Sequence, residues 1–179
     1  MNYVALLRGI NVGGNRKVPM TDLKDCFEKL GHTEVKTYIN SGNVIFTSET
    51  SDVQKLREAL ENEIEKTFGF FVDVLVIDAK TFIQTVEKAP KGFGSKPQLY
   101  HNDVIFRFNE TAKNAAAQFE LHPEVDAIWE GKTVIYFQRL SEKRTKSRLS
   151  KIIAKPIYKK MTIRNWNTTH KLAEMLKEM

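Results

Sequence analysis

Two clusters of residues in this chain have the types and spacing to do chemistry, and both would do it with anions. The first is the run Arg8-Gly9-Ile10-Asn11-Val12-Gly13-Gly14-Asn15-Arg16-Lys17. Its glycines free the backbone to turn N–H groups inward, and Arg8 and Lys17 at its margins complement a negative charge. It is not a Walker A loop, because Gly-Lys-Ser/Thr is absent. It is not a dinucleotide fingerprint either, because the G-x-G-x-x-G spacing is wrong and no parallel β-α-β unit follows. A polar hairpin tip, Asn40, Ser41 and Asn43, is expected to converge on the same end of the fold. The candidate anion site is therefore Arg8, Asn11, Gly13, Gly14, Lys17, Asn40, Ser41 and Asn43. The alternative is an Ω-type turn whose glycines supply positive φ and whose asparagines satisfy their own backbone.

The second cluster is basic. From Arg139 to Arg164 the chain places ten basic residues against the single acid Glu142, a local +9 in a chain whose net charge is +6. If 142–154 is helical, Arg144, Arg148, Lys151 and Lys155 fall at i, i+4, i+7 and i+11, a stripe roughly 60° wide at 100° per residue. A phosphate backbone could follow that stripe to Lys159, Lys160 and Arg164. Those seven residues are the candidate nucleic-acid surface, and a solvated helix face with cations near its C-terminus is the alternative. The aromatic RNA-recognition signature is missing from both third strands. Aromatics at period two, such as Phe106 and Phe108 with Tyr136 and Phe137 as neighbours, point to core rather than to a base-stacking platform.

Other chemistries have less support. His32, His101, His122 and His170 show no i, i+4 pairing and no cysteine partner, so no metal and no cofactor is expected. His170, near the start of the last helix, is a weak candidate for a general base. No nucleophile elbow or triad is visible. The lone cysteine, Cys26, lies with Leu23, Phe27 and Leu30 on one helical stripe and reads as a small core residue.

The elements that would position these residues are written twice along the chain. Strand Tyr3–Leu7, helix Met20–Leu30, a hairpin of Val35–Ile39 and Val44–Thr47, helix Asp52–Phe68 and strand Val72–Ile77 make up the first half. Strand Val104–Phe108, helix Glu110–Phe119, a hairpin of Val125–Trp129 and Thr133–Gln138, helix Glu142–Ala154 and strand Met161–Arg164 repeat the order. Ser51 with Gln54 forms a capping box, Gly69 ends the helix it starts, and Pro19 and Gly31 bracket the first helix. Each half closes with one more helix, capped at Asp78 and at Asn167 or Thr168. The expected fold is α+β: two ferredoxin-like β-α-β-β-α-β repeats, 1–89 and 100–179, joined by a Pro- and Gly-rich loop at 90–99. The Gly42-initiated strand should superpose on the Gly131-initiated one.

Three blocks carry a family resemblance: Ala5-Leu6-Leu7-Arg8-Gly9-Ile10-Asn11-Val12-Gly13-Gly14, Tyr38-Ile39-Asn40-Ser41-Gly42-Asn43-Val44, and Thr162-Ile163-Arg164-Asn165-Trp166-Asn167-Thr168. They resemble the signature blocks of a bacterial family of unknown function, DUF1697. The resemblance implies the duplicated ferredoxin-like fold and supplies no substrate, cofactor or catalytic residue.

With 41% hydrophobic residues over 179 positions, the chain can bury a sizeable core. No apolar run approaches the ~20 residues that span a bilayer, so a cytoplasmic protein without membrane contact is expected. The leading functional expectation is noncatalytic binding of an anionic partner, nucleic acid or a nucleotide. The alternatives are an enzyme acting on a small phosphorylated or carboxylated substrate held between Gly9–Gly14 and Asn40–Asn43, and a homodimer suggested by the apolar runs of Tyr3–Leu7 and Val104–Phe106.

Overall fold

The computed structural model of the protein describes residues 1–14, 16–108 and 115–179. It is an α+β structure with two four-stranded antiparallel sheets. The first half runs β1 (Asn2–Leu7), α1 (Met20–Lys29), β2 (Thr33–Tyr38), β3 (Asn43–Thr47), α2 (Val53–Phe68), β4 (Val74–Asp78) and α3 (Ala79–Glu87). The second runs β5 (Tyr100–Arg107), β6 (Asp126–Glu130), β7 (Val134–Leu140), β8 (Met161–Asn165) and α4 (Trp166–Lys177). The sheet orders are β2-β3-β1-β4 and β6-β7-β5-β8, the same order in each half. The chain divides into two compact units, Met1–Gln84 with Leu172–Met179, and Thr85–Lys171.

In the first unit, α1 and α2 cover one face of the sheet. Leu23, Cys26 and Phe27 of α1 and Leu56, Leu60 and Ile64 of α2 pack with Tyr3, Ala5, Leu7, Val44 and Phe46. Residues alternate across a strand, so Val4, Leu6 and Ile45 belong to the opposite face, and they too are fully buried. That is why β1 reads as a continuous apolar run. Cys26 is a core residue, and burial pushes its thiol above the usual range. Buried Glu61 ties α2 to the sheet: its Oε1 accepts hydrogen bonds from Arg57 Nε at 2.8 Å and from the Val74 backbone N–H at 3.0 Å.

Two caps sit one or more residues from where the sequence puts them. Asp52, not Ser51, caps α2, accepting from the N–H groups of Gln54 and Lys55. Asn165, rather than Asn167 or Thr168, caps α4, its Oδ1 accepting from Thr168 N–H at 2.8 Å. Asp78 caps α3 through the Thr81 N–H, and Gly69 ends α2 at φ +77°.

The second unit departs further from expectation. The first half of the helix expected at Glu110–Phe119 falls outside the described residues, and in its second half Ala116–Gln118 is a 3₁₀ turn. The helix expected at Glu142–Ala154 is replaced by short 3₁₀ segments, Ser141–Lys146 and Leu149–Ala154, with a third at Pro156–Lys160. Side chains intervene in its backbone: the Arg148 N–H donates to Asp126 Oδ2 and the Leu149 N–H to Ser147 Oγ. Such bonds compete with an i→i−4 ladder. These segments still bury Leu149 and Ile152 against Ile105, Ile135 and Phe137. Phe106, Tyr136 and Phe137 are buried, which makes them core. Side-chain parity matches Val44 and Phe46 of the first core with Ile135 and Phe137 of the second, two residues along from a register counted from Gly131. Phe93, in the turn after α3, is buried edge-on to Trp129, Tyr136 and Trp166.

Candidate anion-binding site

The loop after β1 is latched to the β2–β3 hairpin tip by one side chain. Asn11 sits at φ +55°, a conformation its short amide tolerates better than most residues. Its Nδ2 donates to Val18 O and to Asn40 O, each at 2.9 Å, and its Oδ1 accepts from the Val18 N–H at 2.8 Å. The hairpin tip is held from its other side as well. The Leu7 N–H donates to Gly42 O at 2.8 Å, and Gly42 lies so close to β1 that a Cβ there would stand 2.7 Å from Leu7 Cβ and 2.8 Å from Ile10 Cδ1. Fully buried Asn43 donates to Tyr38 O and to Ser41 Oγ, both at 2.9 Å.

Between the latched loop and α1 lies an open cavity of about 380 Å³, lined by Asn11, Gly14, Lys17, Val18, Pro19, Met20 and Asn40. The exposed Lys17 makes no hydrogen bond or ion pair among the described residues. Pro19 and Met20 bring the start of α1 to the cavity wall, and Pro19 as N-cap offers no side-chain acceptor to the first-turn N–H groups. A helix N-terminus carries a partial positive charge that favours an anion. Asp22 in the first turn, bonded by Thr21 Oγ1, offsets part of it.

Of the residues expected here, Asn11, Gly14, Lys17 and Asn40 come together around the cavity. Arg8, Gly13, Ser41 and Asn43 do not line it. Arg8 turns to Asp73, the residue before β4, with its Nη1 3.9 Å from Asp73 Oδ2 and its backbone N–H on Asp73 O. Asn43 and Ser41 build the hairpin tip. Asn11 and Asn43 bond the loop and hairpin backbone with their amides, while Lys17 and Asn40 line the cavity. Sequence reasoning missed Val18, Pro19 and Met20; the signal was a helix start with proline and no Ser, Thr, Asp or Asn to cap it. It also missed Ile39, a β-branched residue held at φ +49° with its side chain 48% exposed.

The basic segment has a different fate. With no α-helix at 142–154 there is no stripe, and the cations are spread over its own unit. Arg144 Nη1 lies 3.2 Å from His101 Nε2, and Arg148 Nη1 donates to Leu121 O at 3.3 Å. Lys151 pairs with Glu120 at 2.8 Å, and Lys155 bonds Gln118 O and Glu120. Those two lysines hold the Glu120 carboxyl below its usual range. Arg164 is buried, donating to Thr162 Oγ1 and Ile163 O, and burial lowers its pKa to about 10. Lys159 and Lys160 are exposed. Nearby, burial raises the Asp103 carboxyl against the opposing pull of Arg139, which bonds it at 2.7 Å. No group of three or more metal-ligating side chains occurs among the described residues, and no described helix is long and apolar enough to cross a membrane.

Comparison of the sequence with curated proteins gives no match. The structure is similar to that of conserved bacterial protein SP0830 from Streptococcus pneumoniae, at a TM-score of 0.84 and 30% identity over 98% of each chain. The model of a family described as protein of unknown function, DUF1697, matches residues 1–136, which include the glycine-rich loop, the hairpin tip and the whole first sheet. The chain therefore belongs to the DUF1697 family.

Proposed function

We propose that the protein binds a small phosphate- or carboxylate-bearing ligand of nucleotide size, without transforming it, at the loop end of the first sheet. The observation that carries this reading is the cavity of about 380 Å³ beside Lys17, whose ammonium has no partner among the described residues. Its volume falls within the range of small-molecule sites. The described lining supplies one cation, the Asn40 amide and the uncapped start of α1, groups that hold and orient an anion. The basic segment supports a nucleic-acid partner less well, because Arg144, Arg148, Lys151 and Lys155 are engaged within their own unit. We further read each half as a ferredoxin-like β-α-β-β-α-β repeat, 1–89 and 100–179 around a 90–99 connection. The shared strand order supports this, with 3₁₀ segments standing in for a helix in the second. Unpaired, buried Cys26 is in keeping with a cytoplasmic setting.

The test is thermal stabilisation of the full chain by a panel of nucleotides, sugar phosphates, tripolyphosphate and carboxylates. A true ligand at ten times its Kd stabilises by about 1.4 kcal/mol, a rise in Tm of about 3–6 °C for a chain of this size. Lys17→Ala should remove that rise while leaving the unliganded Tm unchanged. If no phosphate- or carboxylate-bearing compound stabilises the wild type, or if Lys17→Ala responds equally, the reading fails.

A further inference from the structure

Four described residues other than glycine have positive φ: Asn11, Arg16, Glu34 and Ile39. Glu34 falls in a register shift of the β2–β3 pair between Thr33 and Lys36, which accounts for it, and Asn11 is the latch. Ile39 is the one β-branched residue among them, a type for which this conformation is a genuine outlier. A strained residue persists only where its surroundings over-determine it. Here they do, because the bonds from Asn43 to Tyr38 O and from Asn11 to Asn40 O fix the backbone on either side of it. The fold gains little core in return, since the side chain is 48% exposed. Val12, at 70% exposure, is likewise one residue from the Asn11–Asn40 bond, on the loop side of it. Two exposed branched side chains thus flank the bonded pair that forms part of the cavity wall. Inside, Val18, Pro19 and Met20 make up much of the remainder. Lys17 supplies a single point of positive charge.

We infer that Ile39, with Val12, is the specificity-determining element of this site, packing against the uncharged ring of a ligand whose anionic end is held at Lys17, in chemical class a nucleoside phosphate. This rests on the anion-binding reading above. Tripolyphosphate carries the anionic end alone, and ATP, GTP, CTP and UTP carry it with a ring, so the two can be separated. Isothermal titration of the full chain should show nucleoside triphosphates binding at least tenfold more tightly than tripolyphosphate. In Ile39→Asn, which accepts the left-handed backbone more readily, nucleotide affinity should fall at least fivefold, tripolyphosphate affinity should stay the same, and the unliganded Tm should rise. Ile39→Gly should behave alike. Unchanged nucleotide affinity in both variants, or a lowered Tm in Ile39→Asn, would overturn the assignment of Ile39. A wild type that binds tripolyphosphate as tightly as nucleotides overturns this inference and leaves the anion site standing. A wild type that binds neither removes both.

Discussion

Replacing Asn11 by alanine should unlatch the site, and the structure sets the size of the effect. The substitution deletes three hydrogen bonds, from Nδ2 to Val18 O and Asn40 O and from the Val18 N–H to Oδ1. None lies in the deep core, so each is worth about 0.5–1 kcal/mol, the lower part of the usual net range. Alanine must also adopt φ +55° without the local bonding that makes asparagine tolerant there, a further cost of about 1 kcal/mol. The expected loss is about 2.5–4 kcal/mol, measured by urea denaturation with an unchanged m-value. Asn11→Gly separates the two contributions, because glycine takes the left-handed region freely. It should lose only the hydrogen bonds, about 1.5–3 kcal/mol, and be the more stable variant. Hydrogen exchange at the Val18 amide should accelerate in both. If Asn11→Ala lies within 0.5 kcal/mol of the wild type, or the two variants are equally stable, the latch as described is wrong.

Gly42→Ala combines a positive φ of +76° with a Cβ 2.7 Å from Leu7 Cβ, so it should cost about 2–4 kcal/mol and broaden the hairpin-tip amide resonances; a Tm within 2 °C of wild type would show that the tip does not press on β1. Burial raises the Tyr136 phenol to about 12, and its hydroxyl donates to Thr85 O at 2.6 Å. Because the unfolded phenol titrates near 10, this group favours folding below pH 10 and its contribution is lost as pH rises from about 10 to 12. Across that window the wild-type Tm should therefore fall more steeply than that of Tyr136→Phe, and parallel curves would remove the claim. For oligonucleotides, Lys159 and Lys160 are exposed while the other basic candidates are paired or buried. A plot of log K against log salt should then have a slope no steeper than about −2; a slope near −3.5 would mean that the paired cations open out to meet phosphate.

The helices of the first half are legible in the sequence because burial there is one-sided and periodic, and β1 and β3 because they are short apolar runs buried on both faces. Leu23, Cys26 and Phe27 mark the core face of α1, and Leu56, Leu60 and Ile64 that of α2. The second half is less legible because its helix-like spacing at 142–154 satisfies a pattern without supplying its backbone. Arg148 and Leu149 give their N–H groups to Asp126 and Ser147, and no local propensity shows that Asp126, 22 residues away, will be there to accept. The charge stripe fails for the same reason: it was a consequence of the helix. At the site, the loop and hairpin tip are legible as partners because chain direction brings them to one end of the sheet. Which polar side chains serve the fold and which face the cavity is not, since Asn11, Asn40 and Asn43 are alike in the sequence and differ only in the carbonyls within reach.

The claim that a small anion binds between the glycine-rich loop and the start of α1 is tested most directly by locating the ligand. Backbone amide shifts of ¹⁵N-labelled full-length protein, followed during titration with a nucleoside triphosphate, report every contact at once. The account predicts saturable shifts centred on Gly14, Lys17, Met20 and Asn40, with little change at Lys159 and Lys160. Shifts confined to the basic segment, or none at millimolar ligand, would contradict it.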